Sequence, residues 1–343
     1  MKKAITVIFI IIALIAVGVV IAISVCVPIA NRVNDTSLPA AALSYWQSMI
    51  KDDVLLKQVV MPGSHDAGTK DMPWYSKTQS RDIANQLACG TRYFDLRIKM
   101  KGGEAKIYHG PAVSSSLKDI LNAVNGFLNE NNGEVVILDF QKFASDEAKS
   151  ATLQLLDECL AGKVVENDTE LEDLDFIDTL KIGDARGKCL IFWGSNDGTA
   201  FQNRIFLRND NEGSRLQGCL QSYYTRNWNW YYSSEKYIDK ALPAYIDMYK
   251  DFGKGLFVLQ GQLTDGSLVA GPRYREGGHE KNMNAYVASL AESENLQYIN
   301  IIMRDFVSPN KNGYALMLNV AKGIIKDDAV QLFEQILYAT GVK

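Results

Sequence analysis

The stretch Thr91-Arg92-Tyr93-Phe94-Asp95-Leu96-Arg97-Ile98 decides the fold. Its length and its Thr, Tyr, Phe and Ile content read as a strand. Asp95 and Arg97 stand two residues apart, so both point to one side of it. The same form recurs along the chain. An apolar run at 55–61 meets Pro62-Gly63, which is expected to end it, and His65 and Asp66 follow. Residues 106–108 close on His109, residues 256–263 carry Gln260 and Gln262, and residues 298–307 carry Asp305. Residues 135–140 and 188–193 are two more buried-type runs. Between them lie helical patterns, for example Leu117, Ile120, Leu121, Val124, Phe127 and Leu128, which Asn132-Gly133 terminates, and others at 237–249 and 284–291. Strands alternating with helices predict a parallel sheet. Runs that end in ionisable side chains favour a closed barrel, because barrel enzymes build their sites at strand ends. No GxGxxG or P-loop sequence follows an early strand, which counts against an open nucleotide-binding sheet. The fold expected is therefore α/β, a (β/α) barrel over residues 42–343.

The chain's 343 residues, 47% hydrophobic and 22% charged, suffice for one large buried core. A net charge of −4 excludes the basic footprint of a nucleic-acid binder and gives no general attraction to anionic membranes. Residues 4–30 hold no charge and are rich in Ile, Val and Ala, long enough to span a bilayer. Lys2 and Lys3 before them and Arg32 after predict a single transmembrane signal-anchor over residues 1–30, with the rest outside the cytoplasm. Secretion after signal cleavage is the alternative. Residues 31–41 read as a juxtamembrane linker. Asn34-Asp35-Thr36 and Asn167-Asp168-Thr169 are glycosylation sequons consistent with export. None of the five cysteines has CxxC spacing, and Cys89 and Cys189 read as small buried hydrophobes.

Only three histidines occur: His65, His109 and His279. Two imidazoles at separate strand ends suit a displacement at phosphorus that needs a base on one side and an acid on the other. Asp66 and Asp305 are the carboxylates that could orient them. Arg97 could neutralise the non-bridging oxygens of a phosphodiester, with Asp95 holding it in place. His279, in Gly277-Gly278-His279-Glu280, reads as a mobile loop histidine. Aromatics cluster at Trp74-Tyr75 and at Tyr223, Tyr224, Trp228, Trp230, Tyr231 and Tyr232. Most read as packing, and the alternative is a rim that dips into lipid headgroups.

Three stretches in order, residues 61–69 (MPGSHDAGT), 86–97 (QLACGTRYFDLR) and Tyr108-His109-Gly110, resemble the X domain of phosphatidylinositol-specific phospholipases C, most closely the bacterial type. Residues 181–188 (KIGDARGK) and 302–306 (IMRDF) extend the likeness. The resemblance implies a distorted TIM-type barrel. It implies that His65 deprotonates the inositol 2-hydroxyl, paired with Asp305, and that His109, paired with Asp66, protonates the departing diacylglycerol oxygen. It implies a phosphoinositide or GPI lipid substrate, presented at a membrane surface. Asp66 and Arg97 resemble the metal-independent form, in which the guanidinium takes a calcium ion's place, so no metal is expected. Two headgroup positions depart from the pattern. An Arg is usual where Trp193-Gly194 stands, and a Gln-Asp-x-Tyr sequence reads Gln221-Ser222-Tyr223-Tyr224. Trp193, Ser222 and Tyr224 are thus the substrate-binding candidates.

Overall fold

The computed structural model describes residues 40–194, 203–209, 218–224, 233–263 and 271–342. The expected anchor at 1–30, the sequon at Asn34 and the aromatics at 228–232 lie outside the described residues. No helix among the described residues is long and apolar enough to cross a membrane.

Eight strands form a ring in chain order: β1 (Met61–Ser64), β2 (Tyr93–Lys101), β5 (Val136–Phe143), β6 (Cys189–Trp193), β7 (Phe206–Leu207), β8 (Leu220–Ser222), β9 (Leu256–Gln260) and β10 (Ile301–Arg304). All neighbouring pairs are parallel, and β10 returns to β1. β7 and β8 meet through the bridge Arg208–Leu220, with Cys219 N donating to Leu207 O at 2.7 Å and Asn209 N to Leu220 O at 2.9 Å. The ring is thus a distorted TIM-type barrel whose weakest seam is its shortest strand. β3 (Glu104–His109) and β4 (Ala112–Ser116) extend β2 as an antiparallel flap. The principal helices are α1 (Ile83–Ala88), α2 (Leu117–Glu130), α3 (Asp146–Cys159), α4 (Asp173–Thr179), α5 (Leu242–Phe252), α6 (Gly271–Ser289), α7 (Pro309–Ala321) and α8 (Val330–Ala339).

Strand alternation sorts the side chains into layers. Tyr93, Ile137, Leu190, Phe192, Phe206, Leu220, Val258, Ile301 and Met303 fill the barrel and join a core plugged from below by Trp46 and Met49. Their neighbours Phe94, Leu96, Leu138, Phe140, Ile191 and Trp193 face the opposite way and pack with apolar residues of α2 and α3. Phe257, Leu259 and Ile302 do the same toward α5, α6 and α7.

The structure shifts two expected elements. Of the run at 55–61 only Met61 is strand: Leu56–Gln58 is a 3-10 turn, with the carbonyls of Leu56 and Val59 bonded to the Asn300 amide. The strand instead contains Pro62 and Gly63. A Cβ on Gly63 would come within 2.9 Å of the Tyr93 ring and 3.2 Å of Met303 Cα, so only glycine lets the three strands close. The helix expected at 284–291 begins at Gly271 and includes His279.

The four described cysteines, Cys89, Cys159, Cys189 and Cys219, are buried and unbridged. The Asn167 side chain donates to Leu171 O at 2.9 Å and to Asp173 Oδ1 at 3.0 Å. Its nitrogen is thereby engaged inside the fold.

Candidate active site

The site lies where the inward rows of β1, β2 and β10 leave the barrel. β1 and β10 pair in register, Ser64 beside Arg304, so the next residues, His65 and Asp305, emerge at one height. His65 N donates to Arg304 O at 3.1 Å, and His65 Nδ1 lies 2.7 Å from Asp305 Oδ1. Beyond His65 the chain turns sharply: Asp66 has φ +42°, a conformation that few non-glycine residues adopt. Asp66 N and Ala67 N donate to Asp95 Oδ2 and Asp95 O, which fixes that turn on β2.

This turn sends the Asp66 carboxylate back over the barrel mouth. Its Oδ2 lies 3.3 Å from His65 Nε2 and 3.5 Å from His109 Nε2, and its Oδ1 lies 2.7 Å from Arg97 Nε. His109, at the end of β3, is brought in by the flap and anchored by Nδ1 to Ser76 O at 2.8 Å. Arg97 Nε also donates to Gln141 Oε1 of β5 at 2.8 Å. Thus the six residues expected to carry chemistry, His65, Asp66, Asp95, Arg97, His109 and Asp305, converge on one place.

Their charges are strongly coupled. Burial pulls the His65 imidazole toward neutrality, but Asp66, Asp305 and Asp95 outweigh it and raise its pKa to about 9. Burial works against the Asp66 anion, yet Arg97, His109 and His65 hold its pKa down at about 2. Asp95, wholly buried, is raised by its desolvation. Beside it in register on β5, Asp139 is raised to about 6, also by burial, although Arg208 Nε stands 3.2 Å away and the Tyr93 hydroxyl donates to it at 2.5 Å. Burial thus raises the carboxyls on the floor of the mouth, while Asp66, beside Arg97 and both imidazoles, is held charged.

The substrate-binding candidates divide. Tyr224 is half-buried and close enough to Arg97 to act on its charge. Ser222 is buried and its Oγ accepts from Gln260 Nε2 at 2.8 Å, so it forms part of an amide chain that continues to Gln262. Trp193 is a correction: it faces outward, is fully buried, and lies 4.2 Å from the Phe143 ring. A residue of that parity cannot reach the mouth. His279 is a second correction. It is buried within α6, with Nδ1 2.7 Å from Ser234 Oγ and Nε2 3.0 Å from Gly261 O, and burial lowers its pKa to about 4.

The sequence reading missed Gln79, Asp139, Gln141 and Arg208. Asp139 and Gln141 obey the same strand-end rule and could have been found beside 135–140. Arg208 follows a strand of two residues, too short to show a period. Gln79 sits in a loop, yet its amide donates to His65 O and Arg304 O and accepts from Val307 N, clasping both strand ends.

His65, Asp66 and Asp95 offer ligand atoms within 4.8 Å of one another, a spacing that could hold a cation. Arg97 already brings a fixed positive charge to the same carboxylate.

Comparison with known proteins bears on the family and the fold. Residues 56–194 match the family model of the phosphatidylinositol-specific phospholipase C X domain. A PI-PLC X-box domain-containing protein of Dictyostelium discoideum is 30% identical over 161 residues, 40% of this chain and 21% of that protein. A 1-phosphatidylinositol phosphodiesterase of Listeria monocytogenes is 33% identical over 116 residues, 32% of this chain and 36% of that protein. The chain thus spans well under half the length of these curated relatives. Among solved structures, the phosphatidylinositol-specific phospholipase C of Listeria monocytogenes superposes with TM-score 0.64 at 19% identity, covering 81% of this chain and 98% of that one. A Staphylococcus aureus phosphatidylinositol-specific phospholipase C structure gives 0.57 at 15% identity. Residues 56–194 thus carry the match to the phosphatidylinositol-specific phospholipase C X domain, and the barrel they begin has the fold of the bacterial phosphatidylinositol-specific phospholipases C.

Proposed function

We propose that the chain is a phospholipase C that cleaves the phosphodiester of phosphatidylinositol, or of its glycosylated form, into diacylglycerol and a cyclic inositol phosphate. The observation that carries this reading is Asp66, one carboxylate within 3.5 Å of both imidazoles and 2.7 Å from the Arg97 guanidinium. Around it stand a base, an acid and a cation for one phosphoryl group. In the proposed step neutral His65 takes the proton of the inositol 2-hydroxyl as that oxygen bonds to phosphorus. The bond from phosphorus to the diacylglycerol oxygen breaks, and His109 gives that oxygen its proton. Asp305 orients His65 and stabilises its imidazolium, and Arg97 neutralises the non-bridging oxygens.

With its pKa raised to about 9 by Asp66, Asp305 and Asp95, His65 is mostly protonated in the free protein at pH 7. The productive form is therefore a minority state that grows with pH. Arg97 occupies the place where a cation would bridge Asp66 and the phosphate, and a calcium ion beside it would be repelled. The reaction is accordingly read as metal-independent.

Trp74 and Tyr75, 44% and 47% exposed, form an edge-to-face pair between the His65 turn and the Ser76 carbonyl that anchors His109. They suit the interfacial layer of a bilayer. The apolar segment 4–30 would tether the barrel to that surface from outside the cytoplasm.

The test is phosphorus NMR of the protein on phosphatidylinositol vesicles in EDTA. A cyclic inositol phosphate resonance, lost in His65→Ala and His109→Ala, is expected. Turnover only with calcium would overturn the role of Arg97, and full activity of either variant would overturn the acid–base assignment. Silence under both conditions would favour a different headgroup, a reading that the buried Ser222 and outward Trp193 support.

A further inference from the structure

Asp305 can orient His65 only if its own backbone is fixed; beyond the strand, Arg304 O accepts from Gln79 and Phe306 N donates to Thr78 O at 2.7 Å, which leaves the Asp305 carbonyl itself to be held. β10 ends at Arg304, and the residue after Asp305, Phe306, has φ +48°. The peptide that carries the key carboxylate is therefore a strained exit from the sheet.

Its carbonyl is taken by an unusual partner. Lys311, in the first turn of α7, has a side chain wholly removed from solvent, and its Nζ donates to Asp305 O at 2.8 Å. The same Nζ lies 2.6 Å from Glu276 Oε1 on α6. Glu276 Oε1 also accepts from Arg304 Nη2 at 3.1 Å, while Arg304 Nη1 donates to Asn284 Oδ1 at 3.1 Å. Glu280 Oε2 stands further off, 3.8 Å from Lys311. One buried carboxylate thus ties together the side chain before Asp305 and the ammonium that grips its carbonyl.

Stability alone does not account for this arrangement. A buried ion pair commonly contributes no more than apolar residues of similar volume would, because desolvation offsets the attraction. What apolar residues could not do is hold the Asp305 carbonyl by a hydrogen bond.

We propose that Lys311, locked by Glu276, is a positioning residue for the His65–Asp305 pair, acting through the Asp305 carbonyl. The inference rests on the catalytic role proposed for that pair. Lys311 touches neither substrate nor the reacting atoms. It limits the directions the carboxylate can take, so that the 2.7 Å contact with His65 Nδ1 persists through turnover.

The experiment compares the wild-type protein with Lys311→Met and Glu276→Gln. The first readout needs no substrate: the proton shared by His65 Nδ1 and Asp305 gives a far-downfield proton NMR resonance, identified by its loss in His65→Ala. In Lys311→Met this resonance is expected to shift upfield or broaden away while circular dichroism is retained. The second readout is the kcat and KM for phosphatidylinositol. A fall in kcat of about 10- to 100-fold is expected, as for misplacement of a reacting group by about 1 Å, with KM changed by less than about twofold. Should Lys311→Met not fold, the isosteric Glu276→Gln carries the test, with a weaker resonance and a smaller kcat loss expected. An unchanged resonance in the folded variant overturns the proposal, even if activity falls. A wild-type protein without the resonance overturns it as well. A resonance that responds as expected in a protein inactive on phosphatidylinositol supports the positioning role and refutes the substrate reading instead.

Discussion

Replacing Asp305 with asparagine tests the electrostatics of the site directly. In the wild-type protein His65 is raised from 6.5 to about 9, even though burial alone would lower it. That net rise corresponds to about 3 kcal/mol of preference for the charged ring. Asp66, Asp305 and Asp95 produce it together, and Asp305 is the one in direct contact through Nδ1. Removing its charge is expected to lower the midpoint by about 1–2 units, or about 1–3 kcal/mol. The sign for stability follows from linkage. A histidine whose folded-state pKa is raised stabilises the fold fully below its unfolded value of 6.5, and that contribution is lost as pH climbs through about 9. Asp305→Asn should therefore be less stable than wild type by about 1–3 kcal/mol at pH 6, with this part of the gap closing by about pH 9.5. With only three histidines in the chain, an NMR titration of the imidazole carbon-bound protons resolves each one, and denaturant melts at the two pH values give the stability gap. A wild-type His65 midpoint near 6.5, an unmoved midpoint in the variant, or a gap that widens with pH would refute the reasoning.

Three further outcomes are expected. A substrate with a nitrophenolate leaving group needs no general acid, so His109→Ala should regain activity on it while His65→Ala stays inactive; equal rescue of both would sink the assignment of roles. Arg97→Ala removes the cation beside Asp66 and leaves the carboxylates of Asp66 and Asp95 with His65, so its residual turnover should become calcium-dependent and EDTA-sensitive, against an insensitive wild type. Gly194→Ala should cost about 1–3 kcal/mol in denaturant melts and lower turnover as well, because its Cβ would come within 2.1 Å of the Gln141 carbonyl and push aside the residue that holds Arg97; a variant of native stability would contradict the tight β5–β6 approach.

What could be read from the sequence depended on how local the cause was. Asp95 and Arg97 were legible because a strand puts residues i and i+2 on one face, and the structure keeps them there. His65 and Asp305 were legible as strand ends, but their contact depends on the in-register pairing of β1 and β10, set by residues far apart in the chain. Pro62-Gly63 looked like a strand breaker because no local signal reports the crowding by Tyr93 and Met303 that demands glycine. His279 looked mobile for a similar reason. Two glycines weaken a helix locally, yet α6 persists because Glu276, His279 and Met283 are buried against the barrel.

Strand parity carries the argument on specificity further than composition does. A polar or aromatic residue at a strand end contributes to the mouth only if it shares the face of His65, Asp95 and Asp305. Trp193 fails that test by one position, and no substitution there can bring a headgroup contact into the barrel without a register slip that would turn Phe192 out of the core. Gly194 has the right parity but no room for a side chain. The guanidinium usual at this strand end in bacterial relatives therefore has no place on β6. The described inward residues that remain across this side of the barrel are Arg208, Ser222, Tyr224, Gln260 and Gln262, one charge among neutral hydrogen-bonding groups. Arg208 is in turn balanced by Asp139 at 3.2 Å. A headgroup bound here would meet its fixed positive charge at Arg97, beside the phosphodiester, and mostly amides and hydroxyls elsewhere. Such a lining recognises hydroxyl groups by hydrogen bonding and gives little electrostatic return for additional phosphates.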